Sequence, residues 1–510
     1  MLLYEMLGRT SKEYPDNKAV IWNGNVLTYS EFEKQTICIA SWLQHNGVRK
    51  GDSVALLMPN CTPFLASYYA ITRIGAVAVP ANPLLKPAEL EYIWRDSRVK
   101  MIITTPPLLK GVQSVLETIP GIQSVVVVNS QEELPVGYTS WDEVSTFPAT
   151  QLHNENLSEH DCAVIIYTSG TTGRPKGAML SHKNLTRNVE QVFAAIKFSS
   201  QDTILTVLPL FHSYAATVCM NLALASGMTT VLMESFIPGK VLELIKNYRI
   251  TVFPAVPAMF QALMAQPESA FPETASIRVL ISGGAPLPVA LIEPLERRFG
   301  APVLEGDGPT ECSPVTSLNP LHGTRKPGSV GIPLPGVDIA IWDDNCDQMP
   351  VNQLGEIVVR GDNIMLGYLN QPEATEEAMA GGWYHTGDIG LIDEDGYLFI
   401  LDRKKDMIIT AGLNVYPREV EEQLRSHPAV QDVAVIGVPD RLRGESVTAV
   451  VVLREGCSVS ERDLILHCRA TLADYKSPRS VIFRTSLPIG GTGKVLKRLL
   501  KKEMEMEASM

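Results

Sequence analysis

The stretch IIYTSGTTGRPKGAML, from Ile165 to Leu180, runs an apolar segment straight into glycine, serine and threonine and then into one lysine. The apolar part reads as a buried strand. The residues after it, Thr168, Ser169, Gly170, Thr171, Thr172 and Gly173 with Lys176 just beyond, have the composition of a phosphate cradle. Glycine-rich turns let backbone N–H groups point at phosphate oxygens, and hydroxyls and a lysine add donors and charge. The spacing is not that of a Walker A loop, because no Gly-Lys-Ser/Thr follows four residues after a glycine. A strand that ends in such a loop predicts an α/β sheet with its ligands at the strand ends.

Outward from this loop, helix and strand signals alternate. Thr28 and Glu31 fit a capping box, Phe32, Ile39 and Leu43 share a face, and Gly47 follows, so residues 28–46 read as a helix. VALLM (54–58) reads as a buried strand, followed by helical PFLASYYAITRIG, AVAVP, a helix around Pro87–Arg95 and KMIITT. TILTVLP, TTVLM, GKVLELIKNY and RVLISGG continue the alternation. The pattern predicts an α/β fold with largely parallel sheets. After about residue 325, regularly spaced glycines separate short alternating strands (VDIAIW, GEIVVRG, YLFILD), which predicts a small β subdomain. A charged knot, Asp402-Arg-Lys-Lys-Asp406, marks the expected boundary. Beyond it a helix opening at Pro417, VAVIGV, TAVVVL, a helix near 460–472, SVIF and a basic helix from Val495 predict a small α+β domain. The expected division is 1–403, a hinge at 404–406, and 407–510.

The 510 residues, 45% hydrophobic and 20% charged, are enough for several folding units and a large core. A formal charge of −12 argues against a nucleic-acid partner, which needs a basic face. The cysteines at 38, 61, 162, 219, 312, 346, 457 and 468 form no C-x-x-C pair, and the histidines show no metal-ligand spacing; reduced, packed thiols in a cytoplasmic protein are expected. No secretory leader is read at MLLYEMLGRTSKEYPDNKAV. No stretch approaches the ~20 apolar residues of a membrane span. The nearest, Ala215 to Met233, is interrupted by Asn221, Ser226, Gly227 and two threonines. Peripheral membrane association and a homodimer are left open.

Tyr167-Thr-Ser-Gly-Thr-Thr-Gly-Arg-Pro-Lys-Gly177 resembles the signature loop of the ANL adenylating superfamily: acyl-CoA synthetases, luciferases and peptide-synthetase adenylation domains. The resemblance runs over nearly the whole chain. LPLFHSYA (208–215), SGGAPL (282–287), EGDGPTE (305–311), WYHTGD (383–388), DRKKD (402–406), GLNVYPREVE (412–421) and GGTGKVLKR (490–498) follow in the family's order. It implies ATP, Mg2+ and CoA as cofactors and a carboxylic acid as substrate. The acid attacks the α-phosphorus of ATP, pyrophosphate leaves, and the acyl-adenylate passes its acyl group to a thiol. Such phosphoryl chemistry needs positioning and charge stabilisation more than covalent help.

The resemblance assigns roles residue by residue. The 168–176 loop would hold the β- and γ-phosphates. Glu311 would ligate magnesium with Thr168, a hard-oxygen pair. Gly284, Ala285, Pro286, Glu305, Gly306, Asp307, Gly308 and Thr310 would border the nucleotide. Asp388 would accept both ribose hydroxyls, with Ile400 and Arg403 nearby. Lys405 is the hinge position, about which the C-terminal domain would deliver Lys494 to the carboxylate and α-phosphate, then present Gly412 for thiol transfer. His212 would border the acyl pocket and gate thiol access. One departure stands out: most members carry tyrosine on adenine where this chain has Asp307. Loss of an aromatic platform costs ~0.5–1.5 kcal/mol, whereas a carboxylate there can accept from the adenine amine or a ribose hydroxyl.

The match is closest to bacterial fatty acyl-CoA synthetases, carried by FHSYAATVCMNLALASG, KPGSVGIPLPGV and DRKKDMIITAGLNVYPREVE. Pocket candidates Tyr214, Ala215, Val256, Ser282, Gly283 and Gly284 are small or apolar, and no lysine or arginine lies among them to meet a second substrate charge. A medium- or long-chain fatty acid is expected, with an aryl acid, another acceptor such as a carrier protein or amine, or a non-catalytic nucleotide-binding relative as alternatives.

Overall fold

The computed structural model describes residues 1–130, 133–149, 152, 156–168, 174–271, 276–440, 442–489 and 495–508. The chain packs as two units, one of Met1–Ile339 with Val359–Tyr384, the other of Ala340–Val358 with His385–Met510.

The first unit contains two large sheets. One has eight strands in the order Gly367–Tyr368, Lys176–Ser181, Cys162–Thr168, Val77–Pro80, Ser53–Leu57, Val99–Thr104, Ser124–Val127 and Tyr138–Ser140. From Cys162–Thr168 onward the pairings are parallel; the first two are antiparallel. Every residue of Ser53–Leu57 is buried, which is why the run is apolar without alternation. The other sheet has nine strands, with the run Val303–Asp307, Val279–Ser282, Val252–Ala255, Thr203–Thr206, Thr229–Leu232 and Lys18–Trp22 parallel throughout. Parallel neighbours need crossover connections, and one of these, the helix Thr62–Arg73, is buried at every position from Pro63 to Thr72. The helix Tyr29–His45 begins as expected: Thr28 Oγ1 accepts the Glu31 N–H at 3.2 Å while Glu31 accepts the Thr28 N–H at 2.9 Å.

The apolar stretch from Ala215 lies inside this unit. Ala215–Asn221 winds as a π-helix and continues as Leu222–Ala225, and Thr229–Leu232 is a central strand. Its side chains are almost all buried against protein. No helix among the described residues is long and apolar enough to cross a membrane.

A four-stranded sheet is built by Val337–Trp342, Gly355–Gly361, Tyr384–Ile392 and Leu398–Arg403. A five-stranded sheet follows, centred on the antiparallel pair Val430–Asp440 and Gly444–Leu453, with Ser480–Phe483 added in parallel. The helices Pro417–Arg425 and Glu461–Arg469 cover a core of Val420, Leu424, Val433, Val435, Ala449, Val451 and Leu464. Lys497–Ala508 forms the basic helix expected after Val495.

Candidate active site

Strands Cys162–Thr168 and Lys176–Ser181 pair across the signature loop, with Thr168 opposite Lys176. Tyr167 anchors the outer end of this hairpin through a 2.7 Å hydrogen bond to Asp96. Ser169, Gly170, Thr171, Thr172 and Gly173 lie outside the described residues, as does Lys494. What is described already gathers charge at one point. Thr168 Oγ1 is 3.4 Å from Glu311 Oε1, and the Lys176 ammonium lies 4.9 Å from the centre of the Tyr368 ring. Glu311 is 8% exposed in a short turn, Thr310–Cys312, that follows the strand Val303–Asp307. Its carbonyl accepts the Met365 N–H at 2.8 Å and its Oε1 accepts the Tyr368 hydroxyl at 2.9 Å. The donor set suits a hard cation: cis oxygens around Mg2+, with bonds of ~2.1 Å, stand about 3 Å apart, close to the Thr168–Glu311 separation.

Beside this cluster lies a small cavity of about 60 Å³. Its walls are Val192, Ile196, Tyr214, Val218, Ile281, Ser282, Gly283, Gly284, Gly306, Asp307, Gly308, Pro314, Val315 and Leu318. The parallel strands Val279–Ser282 and Val303–Asp307 are neighbours, with Ser282 opposite Glu305, so their loops form one rim. The Glu305 carboxylate fixes that rim by accepting the Leu287 N–H at 2.9 Å. Gly308 cannot be replaced: a Cβ there would stand 1.7 Å from the Pro314 carbonyl oxygen. Tyr214 starts the π-wound segment, donates to the Ile281 carbonyl at 3.1 Å and lays its ring against Gly283. π-Turns of this kind recur at functional sites.

Several expected residues stand around the cavity rather than in its wall. The His212 ring lies against Phe211, tilted by 42°, and its carbonyl accepts the Ala216 N–H. Ala215 is fully buried, and Val256 Cγ1 lies 3.5 Å from where a Gly284 Cβ would be. Thr310 Oγ1 is 3.0 Å from Ser213 Oγ. Ala285 and Pro286 lie in the loop between Ser282 and the Val289–Phe299 helix.

In the second unit, Asp388 and Arg403 face each other across an antiparallel pair and form an ion pair at 2.6 Å. Ile400 lies on the same strand as Arg403, and its carbonyl accepts from the Arg418 guanidinium at 2.6 Å. Burial lowers the Lys405 pKa below the ordinary lysine range, partly offset by Asp406. Gly412 sits at the exposed tip of the hairpin Ile408–Thr410 and Leu413–Val415, with φ +79°.

Two residues of the first cluster were missed in the sequence. Tyr368 joins the Lys176 ammonium to the Glu311 carboxylate, and the buried Tyr384 lies near both Tyr368 and Glu311. Burial, then the nearby Glu311 charge, pushes both phenols up. The available signal was Gly367 immediately before Tyr368: its φ of +137° disfavours a side chain, and a Cβ would meet Thr375 at 2.6 Å.

The cavity, at the ends of parallel strands, lies beside the cluster of Thr168, Lys176 and Glu311. Residues 7–369 match the model of the AMP-binding enzymes and residues 419–494 that of the AMP-binding enzyme C-terminal domain. The chain is 37% identical to a long-chain-fatty-acid–CoA ligase of Bacillus subtilis (strain 168), over 99% of this chain and 95% of that protein. It is 38% identical to a feruloyl-CoA synthase of an Amycolatopsis species, over 96% of each. The crystal structure of the anthranilate CoA ligase AuaEII with anthranoyl-AMP superposes with a TM-score of 0.92, at 29% identity, covering 100% of this chain and 98% of that one. The chain therefore belongs to the AMP-binding enzyme family. Within it, it is an acid–thiol ligase that activates a carboxylic acid with ATP for transfer to CoA.

Proposed function

We propose that the acid is a medium- or long-chain fatty acid. The observation that carries this reading is the cavity wall: Val192, Ile196, Val218, Ile281, Val315 and Leu318 are aliphatic, and among the described residues no lysine or arginine lines it. Burying a methylene is worth ~0.8 kcal/mol, so such a wall rewards chain length. In the proposed step the 168–176 loop and Lys176 hold the phosphates, and Asp388 with Arg403 holds the ribose. Lys494 offsets charge at the α-phosphate while the fatty carboxylate attacks it. Thr168 and Glu311 would hold Mg2+, which supplies charge neutralisation on the departing pyrophosphate. Residues 404–406 are the proposed hinge, and Gly412 lines the path of the CoA thiol. The absence of disulfides among eight free cysteines supports a cytoplasmic setting.

A second reading, an aryl acid, is favoured by the likeness to feruloyl-CoA synthase. The test is kcat/KM for saturated acids from acetate to stearate, set against ferulate, benzoate and succinate. Values rising with chain length, with succinate inert, support the fatty acid. Ferulate above every fatty acid establishes the second reading instead.

A further inference from the structure

We infer that Tyr368 is a positioning residue for adenylation: its hydroxyl orients the Glu311 carboxylate and its ring seats the Lys176 ammonium. The inference rests on the roles proposed above for Glu311 and Lys176. A phenylalanine would fill the same buried space, so packing alone does not call for the hydroxyl. That hydroxyl donates to Glu311 Oε1 at 2.9 Å, the same oxygen that Thr168 Oγ1 approaches at 3.4 Å. Two donors converging on one oxygen fix the rotation of the carboxylate. Tyr384, 4% exposed, is the neighbouring buried phenol, close enough to Tyr368 and Glu311 for their charges to influence it.

The backbone holds Tyr368 in place from three sides. Its N–H donates to Thr375 Oγ1 at 2.8 Å, and the next N–H, of Leu369, donates to the Gly177 carbonyl at 2.8 Å. Gly367 and Tyr368 pair with Met179 and Ala178, three and two residues beyond Lys176 on the same strand. One residue thus couples two groups of opposite charge. The ring face offers the ammonium a cation–π contact, and the hydroxyl offers the carboxylate a hydrogen bond. Partners that orient a ligating carboxylate typically change metal affinity by ~10–100-fold when removed.

The test is calorimetric titration of the full chain with ATP, with and without Mg2+, for the wild type, Tyr368→Phe, Tyr368→Leu and Tyr384→Phe. The quantity read is the gain in ATP affinity that Mg2+ brings. Tyr368→Phe is expected to lose ~10–100-fold of that gain while binding Mg2+-free ATP as the wild type does. Tyr368→Leu, which also removes the ring from Lys176, weakens Mg2+-free ATP as well. Tyr384→Phe shows a smaller loss of the Mg2+ gain, and this outcome stands in if Tyr368→Phe does not fold. An unchanged Mg2+ gain in both phenylalanine variants overturns the inference, as does equal weakening with and without Mg2+. A wild type that shows no Mg2+ gain overturns the reading of Glu311 itself, and is recognised because it appears before any substitution.

Discussion

Glu311→Gln isolates charge from shape. The substitution is nearly isosteric, and a glutamine oxygen can still accept from Tyr368 and Thr168, which stand 2.9 and 3.4 Å from Oε1. The carbonyl contact to Met365 is untouched. What is lost is one negative charge in a site 8% exposed. Two unit charges ~4 Å apart in an effective dielectric of ~20 interact by about 4 kcal/mol. Removing one preorganised polar contact from an active site typically costs ~10²–10³ in rate, ~2.7–4 kcal/mol. The two estimates agree, so single-turnover pyrophosphate release should fall ~10²–10³-fold. The melting temperature without ligand should stay near that of the wild type, and Mg2+-free ATP should bind as before. A variant within ~3-fold of the wild-type rate would remove Glu311 from the chemistry, since the charge contact is expected to cost far more. A rate loss matched by a large drop in melting temperature would assign it a structural role instead.

Lys494→Ala is expected to abolish acyl-adenylate formation while ATP binding, followed by calorimetry, persists; parallel loss of both refutes the separation. Asp307→Tyr restores the aromatic platform and should tighten ATP by ~0.5–1.5 kcal/mol, read as a lower KM for ATP. A higher KM would show instead that the carboxylate itself contacts the nucleotide. His182 is fully buried, its Nδ1 accepts the Leu3 N–H, and burial lowers its pKa to about 4, with Asp161 partly opposing and Lys50 adding to the shift. A histidine held neutral in the fold contributes stability that is present above pH ~6.5 and is lost as pH falls towards about 4. Thermal unfolding should therefore weaken across that window, and less so in His182→Gln; identical profiles would contradict it.

Much of the local structure was legible because it is written in neighbouring residues. Thr28 and Glu31 cap their helix as their spacing implies, and the uninterrupted VALLM run is a strand buried on both faces. Pro417 opens the helix it was expected to open. The strand before the signature loop was expected, though its antiparallel partner Lys176–Ser181 was not, and SGGAPL and EGDGPTE meet because their parent strands are adjacent and parallel. What was hidden depends on distance in sequence. Tyr368 reaches Glu311 across 57 residues, and no periodicity encodes that meeting. Nor does local texture show that residues 340–358 pack with 385–510 while 359–384 return to the first unit. That exchange is made by strand pairing, which sequence spacing alone does not specify. The apolar stretch from Ala215 resembled a partial membrane span because a fully buried helix and strand carry the same composition.

The most direct test of the ligase reaction is mass spectrometry of the products from ATP, Mg2+ and a panel of fatty and aryl acids, run with and without CoA. Acyl-AMP in the absence of CoA, converted to acyl-CoA in its presence and strongest for the longer fatty acids, is the predicted result. Acyl-AMP that CoA leaves untouched, or no adenylate from any acid, would contradict it.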